Sequence, residues 1–166
     1  MAYGRYGLAR NWDLGLMVSG STVQAVARYE RVLQEGTSRS SLILGLAPFG
    51  GWIPDRDQSG NGGRVGFELP FVYGVDIGGI YEVWLGARAS GQYVFGDFQV
   101  SGSAQKASGA GVQIGPVIGM ALGVRRFHVL IELTTAYEYW FIDHAGVSLN
   151  RGGFALIPGF GLRLRL

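Results

Sequence analysis

Cysteine is absent from the 166 residues, which excludes disulfides and cysteine-based metal sites. Charge is scarce too, at 16% of residues with a formal net charge of +2. The basic residues are scattered rather than clustered, so no nucleic-acid partner is expected. No apolar run reaches about 18 residues, so no transmembrane helix is expected. No Gly-X-Y period runs through the chain, which excludes collagen. Aromatic residues make up 13%, too many for a disordered chain.

Glycine is abundant instead, with 29 residues against a usual share of roughly 7%. Its placement follows a two-residue period, clearest in Val65-Gly66-Phe67-Glu68-Leu69-Pro70-Phe71-Val72-Tyr73-Gly74-Val75. Large apolar residues hold the odd positions, and mostly small or charged ones hold the even positions. A strand sends alternate side chains to opposite faces, so one face is apolar and the other small or charged. The length fits one domain over residues 1–166. Hydrophobic residues make up 48%, and the apolar faces are too many for one water-soluble core. The pattern predicts an all-β protein, an antiparallel up-and-down transmembrane β-barrel with its apolar side toward lipid.

Turn chemistry divides the chain into eight strong segments, near 12–19, 22–33, 38–49, 64–75, 80–96, 109–124, 126–141 and 152–166. Their lengths approach or exceed the ~9–11 residues that a tilted strand needs to cross a bilayer. Short turns alternate with longer connections at 50–63, 97–108 and 142–151. The longer ones are expected outside the cell, and both termini on the periplasmic side. Eight strands are favoured. The piece 1–11 is then an added strand or a periplasmic extension; the alternative is a ten-stranded barrel missing its first strand. Met1-Ala2-Tyr3 runs straight into strand-like sequence, so the expectation is a mature or engineered chain without its export signal.

The outward phase runs through Leu42, Leu44 and Leu46, then Tyr81, Val83 and Leu85, then Ile114, Ile118 and Met120, then Val129, Ile131 and Leu133, then Phe154, Leu156 and Phe160. No charge falls in its middle, and its aromatics gather near strand ends, as interface girdles do. The opposite phase holds Arg28, Glu30, Glu68, Glu82, Arg88, His128, Glu132, Glu138, Arg163 and Arg165, diluted by glycine and alanine. An eight-stranded barrel is just wide enough for side chains to fill. Buried opposite charges must pair, which predicts an internal charge network rather than a wide pore.

Residues 12–166 resemble small bacterial outer-membrane β-barrels, the class that includes the OmpA barrel and the OmpX and OmpW types. Tyr6 to Leu16 is similar to a hairpin common in Gram-negative barrel sequences. Gly161, Leu164 and Leu166 fit the C-terminal assembly signal of such proteins, with Leu166 where phenylalanine is usual and Gly159 where a polar residue is usual. The resemblance implies an integral outer-membrane protein, with outer-membrane lipids and the barrel-assembly machinery as partners. A cysteine-free chain suits that oxidising route.

Catalysis is not expected. A lipid A deacylase would need a His-x-Ser pair backed by a carboxylate, but His128 is followed by Val129-Leu130 and His144 by Ala145-Gly146. His128 and Glu132 share a strand face, where a network role is ordinary. No cofactor is expected either. Asp55, Asp57 and Ser59, with Gly60 at the sixth place, match the start of a calcium loop. The closing glutamate is replaced by Phe67, and the same residues serve any hairpin loop. The functional expectation is a non-enzymatic outer-membrane barrel with binding or protective loops. Its alternatives are a narrow channel or carrier for small or apolar solutes and a lipid-modifying enzyme.

Overall fold

A computed structural model describes residues 2–19, 21–54, 61–100, 103–124, 127–144 and 147–164. It holds nine strands: β1 (Ala2–Ala9), β2 (Trp12–Ser19), β3 (Thr22–Gln34), β4 (Ser38–Pro54), β5 (Asn61–Ile77), β6 (Tyr81–Val100), β7 (Ser103–Val124), β8 (Phe127–His144) and β9 (Val147–Leu164). They form one sheet in sequence order, and every neighbouring pair is antiparallel. Among the described residues no ladder joins β1 to β9, so the sheet is open between these two edges.

The count differs from the favoured eight because Ala2–Ala9 pairs along its length with β2, from Ala2 opposite Val18 to Ala9 opposite Trp12. The short polar turn at Arg10-Asn11 closes this hairpin. With nine alternating strands, Ala2 and Leu164 lie at opposite rims rather than both on one side. Two of the three expected long loops are mostly strand. β6 and β7 stay paired from Tyr81–Leu122 to Val100–Ser103, and β8 and β9 from Phe127–Leu164 to His144–Val147. Continued pairing satisfies backbone groups that an irregular loop would have to leave to water.

The register keeps one phase on one face across the whole sheet. Asp13 lies opposite Arg28, and Arg28 opposite Gly45. Farther along, one transverse row reads Ala47, Glu68, Ser90, Gln113, Glu138 and Gly153. The other face carries the large apolar residues. Leu85, Ile114, Ile118 and Leu156 are each more than half exposed. The fully buried side chains belong to the polar-phase face, where Val117 and Ala121 are inaccessible and His128 is 1% exposed. The sheet therefore has its packed layer on the face that carries the charges, the inverse of a soluble sheet with polar residues outside.

The apolar face also ends in an orderly way. On β6 it runs from Tyr81 through Val83, Leu85, Ala87 and Ala89 to Tyr93 and Phe95, and the next position in phase is Asp97. On β8 it runs from Phe127 to Tyr137, Tyr139 and Phe141, followed in phase by Asp143. Tyr93 and Phe95 stack with ring centroids 6.0 Å apart. Tyr139 and Phe141 meet edge to face at 4.9 Å.

Candidate functional site: a roofed charge network on β5 to β8

The site is built around β7, which presents small residues on the polar-phase face: Gly111, Gly115, Val117, Gly119, Ala121 and Gly123. Larger side chains from β6 and β8 lie across them. A Cβ added at Gly119 would sit 2.3 Å from the Trp84 ring, and one at Gly111 would sit 2.8 Å from the Trp140 ring. Only glycine leaves room for indoles lying flat on the strand, so these positions are occupied for close approach rather than for turning.

Trp84 reaches over β7 and donates from Nε1 to Glu132 Oε2 at 3.1 Å. Arg88 makes the same crossing. Its Nη2 lies 2.8 Å from Glu132 Oε1, its Nη1 donates to Thr134 Oγ1 at 3.3 Å, and its Nε lies 3.1 Å from Glu68 Oε1. One guanidinium thus bridges β5, β6 and β8, and two carboxylates share it. β6 and β8 both flank β7, so long side chains from the two can meet above its glycines. A second layer lies one row away: Ser90 Oγ donates to Gln113 Oε1 at 3.3 Å, and Gln113 Nε2 donates to Glu138 Oε1 at 2.5 Å. Trp140 Nε1 stands 3.5 Å from Glu138 Oε2.

His128 closes the layer near the short turns. Its Nε2 is 2.8 Å from the carbonyl oxygen of Gly79, so that nitrogen carries the hydrogen and donates. Gly78 and Gly79 both have positive φ, 62° and 70°, which turns the β5–β6 connection in a way residues with a side chain rarely adopt. Asp76 Oδ1 accepts from Gly79 N at 2.8 Å and holds the same turn. The histidine ring thus ties β8 to the turn between β5 and β6.

A smaller set of contacts lies on β2 to β5. Arg28 Nη2 pairs with Asp13 at 3.1 Å, Arg39 Nη2 with Glu30 at 3.0 Å, and Arg64 donates to the Thr22 hydroxyl. Arg28, Glu30, Glu68, Glu82, Arg88, His128, Glu132 and Glu138 thus share the polar-phase face; among the described residues, Arg28 meets Asp13, Glu30 meets Arg39, and Arg88 meets Glu68 and Glu132. Glu82 lies opposite Asp76 and Ala121. Arg163 lies opposite His128 in the β8–β9 ladder. Gly161 and Leu164 of the assembly-signal pattern lie opposite Leu130 and Phe127 on β9. Leu166 and Arg165 fall outside the described residues, as do Asp55, Asp57 and Ser59 of the calcium-loop pattern. Among the described residues, no group of three or more metal-ligating side chains comes together.

Sequence reasoning missed Asp13, Arg39, Thr22, Thr134, Gln113 and above all Trp84. Trp84 stands in the even phase of β6 between Glu82 and Arg88, so its phase alone could have placed it among the charges. The replacement Trp84→Phe keeps most of the ring over Gly119 and leaves Glu132 Oε2 without its indole donor. We expect a loss of about 1–2 kcal/mol, read by urea unfolding in detergent. An unchanged midpoint would mean that water replaces the indole.

No family model matches the chain, and neither a curated protein nor a solved structure matches it.

Proposed function

We propose that the protein is a non-enzymatic integral β-barrel of the Gram-negative outer membrane, with its inner face filled by side chains and its connections at one rim serving for binding or surface protection. The observation that carries this reading is the inverted sheet. The packed, buried layer is the charged face, while the other face is a continuous, uncharged belt of exposed large apolar residues on β5 to β8. Such a belt far exceeds the few hundred Å² of apolar patch that a water-soluble monomer tolerates. A lipid solvent accounts for it, and aromatics followed by Asp97 and Asp143 mark where lipid would give way to water. The resemblance of Tyr6 to Leu16 and of Gly161 and Leu164 to Gram-negative barrel sequences supports the choice of membrane, and with it outer-membrane lipids and the barrel-assembly machinery as partners. The roofing of β7 by Trp84, Trp140 and the Arg88 bridge favours a filled lumen over a wide channel. His128 donates to a turn carbonyl rather than holding a hydroxyl nucleophile, which suits a structural role.

The test has two readouts. The chain should fold in detergent or lipid vesicles and migrate differently on gels when left unheated. A cysteine at Ser148, at the rim of the β4–β5 connection, should be labelled from outside intact cells, and one at Thr37 should not. A monomer with sharp NMR lines in plain buffer would end the membrane reading. Labelling at Thr37 alone would invert the orientation.

A further inference from the structure

The two sheet edges carry an inference that rests on the membrane reading and extends it. β1 and β9 are separated by eight reversals of chain direction, so they run parallel to one another. Among the described residues each has a ladder partner on one side only, which leaves a row of backbone groups without one on the other. In a bilayer such an edge is costly, because no water reaches its N–H and C=O groups, and pairing with a further strand removes that cost. In water it would invite aggregation. Joining β1 directly to β9 would introduce a parallel ladder into a sheet whose eight ladders are all antiparallel. One added strand, running opposite to both, would close the sheet with two more antiparallel ladders.

Exposure and charge point the same way. Tyr6 on β1 and Phe154 and Phe160 on β9 are 73%, 84% and 72% exposed, well above most apolar residues of the central strands. Ile157, on the packed face, is 41% exposed although its cross-strand partner Thr134 is 3% exposed. Both edges therefore lack a neighbour. Neither β1 nor β9 contains an aspartate or glutamate, while positions 5, 151 and 163 in the inner phase are all arginine. The acidic residues of that face lie on other strands.

We propose that the seam between β1 and β9 receives one extended strand from polypeptide outside these 166 residues, antiparallel to both edges, with apolar residues outward and carboxylates among its inward positions. Its outward side chains cover Tyr6 and Phe154. Its inward carboxylates face the inner-phase arginine positions of the edges, strands that carry no carboxylate of their own.

The probe is an 11-residue synthetic peptide alternating leucine or valine with glutamate or glycine, with a photoreactive phenylalanine analogue at its centre. A matched peptide carries lysine in place of glutamate. The full chain is first folded in detergent micelles and checked by the unheated gel shift, so that failure to fold would overturn the membrane reading and this proposal together. With folded chain, irradiation should cross-link the glutamate peptide to both 2–9 and 147–164, and it should bind at least tenfold more tightly than the lysine peptide. Replacing Arg151→Glu and Arg163→Glu together should reverse that preference. Cross-links to one edge or to neither, or equal binding of the two peptides, would overturn the proposal and leave the membrane reading standing. So would a high yield of direct disulfide between cysteines placed at Tyr6 and Leu156 in the peptide-free chain.

Discussion

Replacing Arg88 with alanine should cost roughly 2–4 kcal/mol of stability in detergent, while Arg39→Ala should cost at most about 1 kcal/mol. Removing one member of a buried ion pair leaves the other charge desolvated and unpaired, at about 3–5 kcal/mol. Arg88 holds two such partners, Glu68 and Glu132, and also Thr134. Its side chain remains 25% exposed, which lets some water relieve the loss and lowers the expected cost. Among the described residues Arg39 pairs only with Glu30, and it is 52% exposed; exposed pairs are worth about 0–1 kcal/mol. Urea unfolding of both variants in the same micelle makes the comparison. Equal midpoints would mean that water fills the space around Arg88, which would favour a hydrated lumen and the channel reading. Loss of both carboxylates, through Glu68→Gln with Glu132→Gln, should recover part of the stability lost in Arg88→Ala, because the unpaired charges are then gone.

The second large effect separates lipid from water as the solvent of the apolar face. Ile118 sits in the outward phase near the middle of β7, between Ile114 and Leu122, and is 57% exposed. On a water-facing surface Ile118→Arg should change stability by no more than about 0.5 kcal/mol. At the midplane of a bilayer the same change should cost roughly 2–4 kcal/mol. Lys106→Leu is a useful control, since Lys106 lies opposite Asp97 beyond the aromatic residues of β6, where a change of charge has little lipid to meet. Unfolding from lipid vesicles gives the numbers. A neutral Ile118→Arg in vesicles would refute lipid contact at this face, whatever the chain does on gels.

The strands from β2 onward follow from local rules. The two-residue alternation in β5 and β8 is unbroken over long stretches, so the phase of each residue is decided by strand geometry alone. Glu68, Arg88 and Glu132 could therefore be assigned to one face from the sequence. Their meeting could not, because Glu132 lies 44 residues beyond Arg88 and the two are brought together only by the pairing of β6 and β8 with β7. Trp84 was legible in phase but not in role. An indole among charges becomes intelligible once Gly119 is seen beneath it and Glu132 beyond it. For a related reason, the strands extend beyond the ends that the sequence predicts. Residues 97–100 and 103–108 are mixed small, polar and apolar, which reads as loop chemistry, yet they pair as a hairpin because cross-strand partners already in register extend the ladder at little further entropic cost.

By itself the sequence determined the all-β class, the antiparallel alternation and the split between an apolar face and a charged one, because each depends on the two-residue period of a strand and on the turn residues between strands. Only the tertiary structure decided the ninth strand, which of the described charges meet, and the seam between β1 and β9. Those depend on which strands are neighbours and in what register. An eight-residue β1 is stabilised by its ladder with β2 rather than by its own propensity. The Arg88 group forms where β7 is slim enough for side chains from β6 and β8 to meet across it. The seam exists because nine alternating strands leave two parallel edges, a consequence of the whole count that no local stretch of residues contains.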